Sequence, residues 1–241
     1  MAVICYNGLP GKGKTANATR DAIKAYKSYK IKTFILNCLR KKQNREEIDN
    51  IIFSNYPILL DKKTERYSYV LDIRKMHMNY KFPKGSVLIL DEAQRYNDSR
   101  DFKNFPKKLG IFFQHHRHGD IDKIILVTQH PRRLDNKMRD LCEVFRKFKI
   151  WFKLPLLPVV FIYYTDYYEF EDYGKYNHVP RERKIYDYRN GMKLIITWNL
   201  FTRFDTKYFK VVFKNLTNIP KKQFKNIAVQ EEEMAELGMI Y

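Results

Sequence analysis

Short, unbroken apolar runs alternate with longer polar stretches through the first 145 residues. Ala2-Val3-Ile4-Cys5-Tyr6, ending in Asn7, predicts a first strand covered on both faces. From Ala16 to Tyr29 the period lengthens, and Ala18, Ala22, Ala25 and Tyr29 share one helical face. Thr33-Phe34-Ile35-Leu36-Asn37 predicts a second buried strand, with a polar helix after it from about Gln43 to Ile52. Ile58-Leu59-Leu60 and Ser68 to Leu71 predict short strands on either side of a charged turn. Ser86 to Leu90, closed by an acid, has the pattern of a central parallel strand, and Lys123 to Thr128 repeats it. Phe102 to His116 and Leu134 to Leu141 read as helices. This alternation predicts an α/β fold with a mostly parallel, doubly wound sheet.

The pattern changes after Glu143. Phe145 to Leu154, Val159 to Phe170, Lys184 to Tyr188, Met192 to Leu200 and Tyr208 to Phe213 all read as strands. Turn signals fall at Gly174-Lys175, Pro180 and Asn190-Gly191, the last a hairpin signal. The chain thus divides into a core over 1–145, a β-rich C-terminal extension over 146–220 packed on it, and an acidic helix or tail over 221–241. No Gly/Ser/Pro linker separates core from extension. The most apolar segment, Ile150 to Thr165, is broken by Lys153, Pro155 and Pro158 and is too short for a membrane-spanning helix. With no secretory signal before the first strand, the expectation is a soluble or peripheral protein.

Chemistry enters between the first strand and the first helix. Gly8-Leu9-Pro10-Gly11-Lys12-Gly13-Lys14-Thr15 satisfies G-x-x-x-x-G-K-[ST] at every defined position, in the strand–loop–helix context that phosphate binding requires. Backbone amides through Gly11, Lys12, Gly13, Lys14 and Thr15, backed by the helix start at Ala16, converge on phosphate oxygens. Lys14 reaches the β- and γ-phosphates, and the Thr15 hydroxyl sits on Mg²⁺. Val87-Leu88-Ile89-Leu90-Asp91-Glu92 supplies the complementary half: Asp91 holds Mg²⁺ through water, and Glu92 polarises the attacking water. Together they predict a P-loop NTPase. Gln129, just past the strand ending at Thr128, is placed as a γ-phosphate sensor. Arg117, Arg132, Arg133 and Arg139 are the candidates for an arginine finger. His115-His116-Arg117-His118 lacks the partners of a metal site, and Arg117 is better read as a phosphate-edge residue.

Composition adds a partner class. The 241 residues carry 46 Lys and Arg against 27 Asp and Glu, a formal charge of +19. The last stretch, 229–241, holds four glutamates and no base, which concentrates the positive charge elsewhere. Such a field attracts nucleic acid or an anionic membrane face, although a lysine-rich, AT-biased genome would also produce it. Aromatics interleaved with bases, as in Phe145-Arg146-Lys147-Phe148-Lys149 and Arg203-Phe204, suit either base stacking or a two-faced strand. Cys5, Cys38 and Cys142 are widely spaced in apolar surroundings, the pattern of a reducing compartment.

The ordered set of motifs resembles the zonula occludens toxin-like (Zot) assembly ATPases of filamentous phages, themselves similar to DNA-pumping ATPases of the FtsK and HerA type. The resemblance rests on Gly8-x-Pro10-Gly11-x-Gly13-Lys14-Thr15, Asp91-Glu92-Ala93-Gln94, His116-Arg117-His118-Gly119 with Asp120-Ile121, Thr128-Gln129, and Phe201-x-x-Phe204-Asp205-Thr206. It implies an ATP- and Mg²⁺-dependent hydrolase supporting virion assembly and extrusion at the inner membrane. Lys14, Thr15, Asp91, Glu92 and Gln129 fall in the family's roles. Many members continue into a transmembrane helix, so membrane association is expected here through a further segment or a partner. The implied location is the host cytoplasm, peripheral to or anchored at the inner membrane. Implied partners are phage single-stranded DNA or its protein complex, coat and assembly proteins, and further copies of the chain. The rivals are a helicase or DNA-packaging ATPase, a nucleotide kinase, and a non-hydrolysing nucleotide switch.

Overall fold

The computed structural model describes residues 2–39, 51–71, 82–95, 113, 121–153, 159–168, 170, 188–196, 200 and 202–204. Strands β1 (Ala2–Asn7), β2 (Ile52–Ser54), β5 (Tyr69–Val70), β6 (Ser86–Leu90), β7 (Ile121–Val127), β8 (Val144–Lys153), β9 (Val159–Tyr167) and β10 (Tyr188–Ile196) form one sheet, in the order β10-β9-β8-β1-β7-β6-β2-β5. From β8 to β5 every pairing is parallel, while β9 and β10 add an antiparallel flank. The short strands β3 (Leu59–Asp61) and β4 (Arg66–Tyr67) pair by themselves across the expected charged turn.

The sheet is covered on both faces because its strands are apolar at consecutive positions. Val3 and Cys5 of β1, Leu88 and Leu90 of β6, and Ile124 and Leu126 of β7 face one core with Phe113, Leu134 and Met138. Their neighbours Ile4, Tyr6, Val87, Ile89, Ile125 and Val127 face the other. There they meet helix α1 (Lys14–Leu39) through Ala18, Ala22, Ile23 and Tyr26. The short helix α2 (Asn136–Asp140), capped by the Asp135 side chain on Lys137 N–H, places Met138 in the first core.

Three expectations need correction. Thr33 to Asn37 is not a strand: α1 continues through it to Leu39, with Phe34 64 % exposed and Leu39 81 % exposed. The short apolar run Phe34-Ile35-Leu36 has no helix or strand signature of its own. No Gly or Pro interrupts 14–39, and a Lys30–Asp61 ion pair at 2.9 Å ties the distal half of the helix to β3. The strand beside β6 is instead Ile52–Ser54, where a helix end was expected. Asn190-Gly191 is not a hairpin turn but lies inside β10, opposite Thr165 and Tyr164. A Cβ at Gly191 would meet the Tyr164 ring, so this glycine makes room for an aromatic across the ladder. Cys5 and Cys142 are buried, whereas Cys38 is exposed. The helix expected over 102–116 lies outside the described residues except at Phe113, as do the strand over 208–213 and the acidic tail.

A partly buried ion pair joins the antiparallel flank to the parallel sheet. Arg146 of β8 donates from Nε and Nη2 to the two carboxylate oxygens of Asp166 on β9, at 2.6 and 2.7 Å. Its Nη1 donates to the Tyr6 hydroxyl at 3.1 Å, and that hydroxyl donates to Asp21 on α1. The guanidinium also lies 4.6 Å from the centroid of the Tyr164 ring. Burial works against the Arg146 charge, but Asp166 and Tyr6 outweigh it and hold the group firmly protonated. Asp166→Ala would remove the carboxylate that neutralises this cation and cost about 2 kcal/mol, read as a lower urea midpoint. Replacing both partners, as Arg146→Met with Asp166→Leu, is expected to recover most of the loss.

Candidate functional site

The site is set by where parallel strands end. Cys5 of β1 and Leu90 of β6 both pair with Leu126 of β7, so the chain leaves the sheet at one level on either side of β7. Thr128 N–H to Tyr6 O at 2.9 Å and Gly8 N–H to Gln129 O at 3.3 Å carry the β1–β7 ladder into the loops. The phosphate loop and the acid pair therefore emerge together at the carboxyl edge, where α/β sheets bind ligands.

The loop curls tightly enough to need its glycines. Gly8 has φ +142°, and a Cβ there would lie 2.9 Å from the Phe148 carbonyl oxygen of β8, a backbone atom with no room to yield. Gly13 has φ +80°, and its Cβ would lie 2.5 Å from Ile162 Cδ1 of β9. The β8–β9 ribbon is thus the wall behind the loop, a contact absent from the motif pattern. Lys12 N–H bonds Leu9 O at 3.3 Å, and Asn17 returns both its N–H and its side-chain amide to Gly13 O, at 2.9 and 2.8 Å. Pro10 and Gly11 form the outer, exposed turn, and Ala16 is buried in the first turn of α1.

Lys14, Thr15, Asp91 and Glu92 lie close together at this edge. Thr15 Oγ1 donates to Asp91 Oδ2 at 3.0 Å. Lys14 is buried, with Nζ on Leu9 O at 3.1 Å. Burial lowers its pKa, opposed by the charges of Glu92 and Asp91. Asp91 lies just beyond β6, and burial pushes its carboxyl up to about 6; Thr15 draws it down, Glu92 pushes it up, and Lys14 draws it down further. Glu92 has φ +50°, a left-handed backbone costing on the order of 1 kcal/mol for a residue with a Cβ. Its N–H donates to Asp91 Oδ1 at 3.0 Å, and Gln94 Nε2 donates to its carboxylate. Gln94 Oε1 is buried with no protein hydrogen bond.

The remaining candidates are placed unevenly. Gln129 touches the loop through its carbonyl, while its side chain accepts from Arg133 Nη1 at 3.1 Å. Arg139 bonds Asn136 at 2.7 Å and stacks 4.2 Å from the Phe170 ring centroid. Arg117 lies outside the described residues, as does the His115–His118 cluster. Unforeseen was Asn55, at the end of β2, whose side chain bonds both backbone groups of Asp91. In the sequence the apolar run Ile51-Ile52-Phe53 is closed by Ser54, and no local signal singles out Asn55 after it.

The donor set suits a magnesium nucleotide. One hydroxyl and one carboxylate face each other with Lys14 close by, a hard oxygen pair that leaves most ligand positions to phosphate and water. Among the described residues, no cluster of three or more His, Cys, Asp and Glu side chains offers a protein-only metal cage. Nor does any described helix have the length and apolarity to cross a membrane.

Fold and site define the class of P-loop NTPases. Within it, the chain belongs to the family described as Zonular occludens toxin (Zot), whose model matches residues 2–154. The structure is similar to the N-terminal domain of zonular occludens toxin from Neisseria meningitidis: TM-score 0.54, 18 % identity, covering 85 % of this chain and 98 % of that one. That likeness concerns the fold. A weaker similarity, at TM-score 0.40 and 16 % identity, is to B204, the DNA-packaging ATPase from Sulfolobus Turreted Icosahedral Virus, covering 64 % of this chain and 77 % of that one. Another, at TM-score 0.34 and 13 % identity with the same coverage, is to the genome packaging NTPase B204 of Sulfolobus turreted icosahedral virus 2 in complex with ATP-gammaS. No curated protein sequence matches the chain.

A buried carboxylate next to Glu92 destabilises the nucleotide-free fold. With the folded pKa near 6 and the unfolded value near 3.8, the folded state binds more protons across that window. Stability from this group is therefore lost as pH rises from about 4 to 6. Asp91→Asn is expected to stabilise the nucleotide-free protein by roughly 2–3 kcal/mol at pH 7, with the gain vanishing near pH 4. Denaturant titrations at the two pH values check it.

Proposed function

We propose that this chain is a Mg²⁺-dependent ATPase. The observation carrying the proposal is the Thr15–Asp91 hydrogen bond, which brings the complete phosphate loop and the acid pair to one edge of the sheet. On this reading the triphosphate replaces the Leu9 carbonyl as partner of the Lys14 ammonium, and the loop amides receive its oxygens. Thr15 and Asp91 would hold Mg²⁺, which would supply neutralisation of phosphate charge when bound. Glu92, fixed by its left-handed backbone and by Gln94, accepts a proton from the attacking water. Gln129 couples the γ-phosphate to Arg133, so phosphate loss would release an arginine for a neighbouring subunit.

The biological work proposed is filamentous-phage virion assembly and extrusion, with the chain acting as a homo-oligomer at the cytoplasmic side of the inner membrane. Family membership and the +19 charge support this reading, since a cationic motor suits handling of phage DNA and its coat proteins. A helicase or DNA-packaging ATPase is the second reading, favoured by the same charge. A kinase fits less well, because Glu92 would activate the water that a kinase must exclude.

Steady-state ATP turnover tests the assignment. Lys14→Ala and Glu92→Gln are each expected to lower kcat/KM by at least ~100-fold, the scale of removing a positioned acid or base. Equal rates in all three proteins would remove the ATPase reading. Turnover raised by single-stranded DNA alone, and lost steeply with salt, would favour the helicase or packaging reading over virion assembly.

A further inference from the structure

The end of β2 makes a connection to the acid pair that belongs to neither the phosphate loop nor the acidic strand. Asn55 follows the last residue of β2, is 5 % exposed, and lies beside β6. Its own N–H donates to Ile89 O at 3.3 Å, the last rung of the parallel ladder between the two strands. One step further on, its side chain takes over from its backbone. Nδ2 donates to Asp91 O at 2.8 Å, and Oδ1 accepts from Asp91 N–H at 2.8 Å. The carboxamide thus extends the ladder by one residue beyond the point where β2 turns away.

We propose that Asn55 is a positioning residue that fixes the Asp91 peptide groups and thereby aims the Glu92 carboxylate. The proposal rests on the ATPase reading of the same site. Both peptide groups flanking the Asp91 Cα are pinned by this one amide, so Glu92 leaves from a fixed platform. Glu92 then takes φ +50°, which a loose strand end would relax away from. Downstream the same residue is held by Arg95 N–H on Glu92 O at 2.8 Å. Asn55 therefore closes the upstream side of a brace around a strained residue. Tyr56, the next residue, is buried with its hydroxyl 3.0 Å from Thr19 Oγ1, one helical turn beyond Thr15. The strand end is thus locked to α1 as well as to β6.

The chemistry demands an amide. Aspartate keeps the acceptor for Asp91 N–H but has no donor for Asp91 O, and it sets a second carboxylate against the first. Alanine removes both bonds. Glutamine carries the amide one methylene too far, because the backbone of Asn55 is already fixed on Ile89.

Two readouts on Asn55→Ala and on Asn55→Leu, which keeps the side-chain shape but removes both bonds, test the proposal. Amide hydrogen exchange in the nucleotide-free protein is expected to speed up at least tenfold at Asp91 and Glu92. Protection in β1 and β7 is expected to stay within twofold. ATP turnover is expected to lose at least tenfold in kcat, with KM within twofold. In a Glu92→Gln background, Asn55→Ala is expected to cost less than twofold more, because the carboxylate it aims is already gone. The proposal is overturned by unchanged exchange at Asp91, by protection lost across the whole sheet, by a change confined to KM, or by fully additive kcat losses. If Asn55→Ala does not fold, Asn55→Leu decides by the same measurements. Absence of turnover in the wild-type chain would sink the ATPase reading instead, and hydrogen exchange at Asp91 would still decide whether Asn55 holds that strand end.

Discussion

One hydrogen bond, from the Thr15 hydroxyl to the Asp91 carboxylate across the end of β7, states the constraint on which the rest of this molecule depends. It forms only if β1, β7 and β6 are parallel, in register, and end at one level. It also requires the loop after β1 to curl back tightly, which is why Gly8 presses on the β8 backbone and Gly13 on Ile162. Asp91 must be buried to meet it, so its carboxyl sits near pKa 6. Glu92 must then turn sharply away, which accounts for its left-handed backbone. Local costs at Gly8, Gly13, Asp91 and Glu92 thus follow from one global requirement, a pattern typical of functional sites.

The surrounding fold is arranged to bear those costs. Alternate residues of β1, β6 and β7 feed two separate cores, so the three strands are clamped from both faces. The Arg146–Asp166 pair, with Tyr6 and Asp21, adds a polar clamp joining β8 and β9 to β1 and α1 just behind the loop. Arg203, near the end of the described chain, donates to the carbonyls of Leu59 and Leu60 at 3.1 and 3.0 Å. The adjacent Phe204 ring packs 6.3 Å from Tyr56. The aromatic segment noted in the sequence therefore returns to β3 and to the residue after Asn55.

What the sequence revealed follows the strength of its local signals. β1, β6 and β7 were legible because each is an unbroken apolar run ended by a polar residue, and the phosphate loop because its spacing is a mechanical requirement. Thr33 to Asn37 and Ile51 to Phe53 look alike as short apolar runs, and only packing decides that one continues a helix while the other joins the sheet. Asn190-Gly191 carries hairpin chemistry, yet the glycine is used to admit the Tyr164 ring within a long strand. Asn55 stayed hidden because its partners are backbone groups 36 residues away, which no local pattern encodes. The β8–β9 wall behind the loop stayed hidden for the same reason.

The central claim is that loop and acid strand grip one metal–nucleotide between them. Equilibrium ATP binding, measured with and without Mg²⁺ in wild type and in Thr15→Ala, addresses it most directly. The account predicts that Mg²⁺ tightens ATP binding at least tenfold in the wild-type chain and by less than twofold in the variant. Equal Mg²⁺ dependence in the two proteins, or none in either, would contradict it.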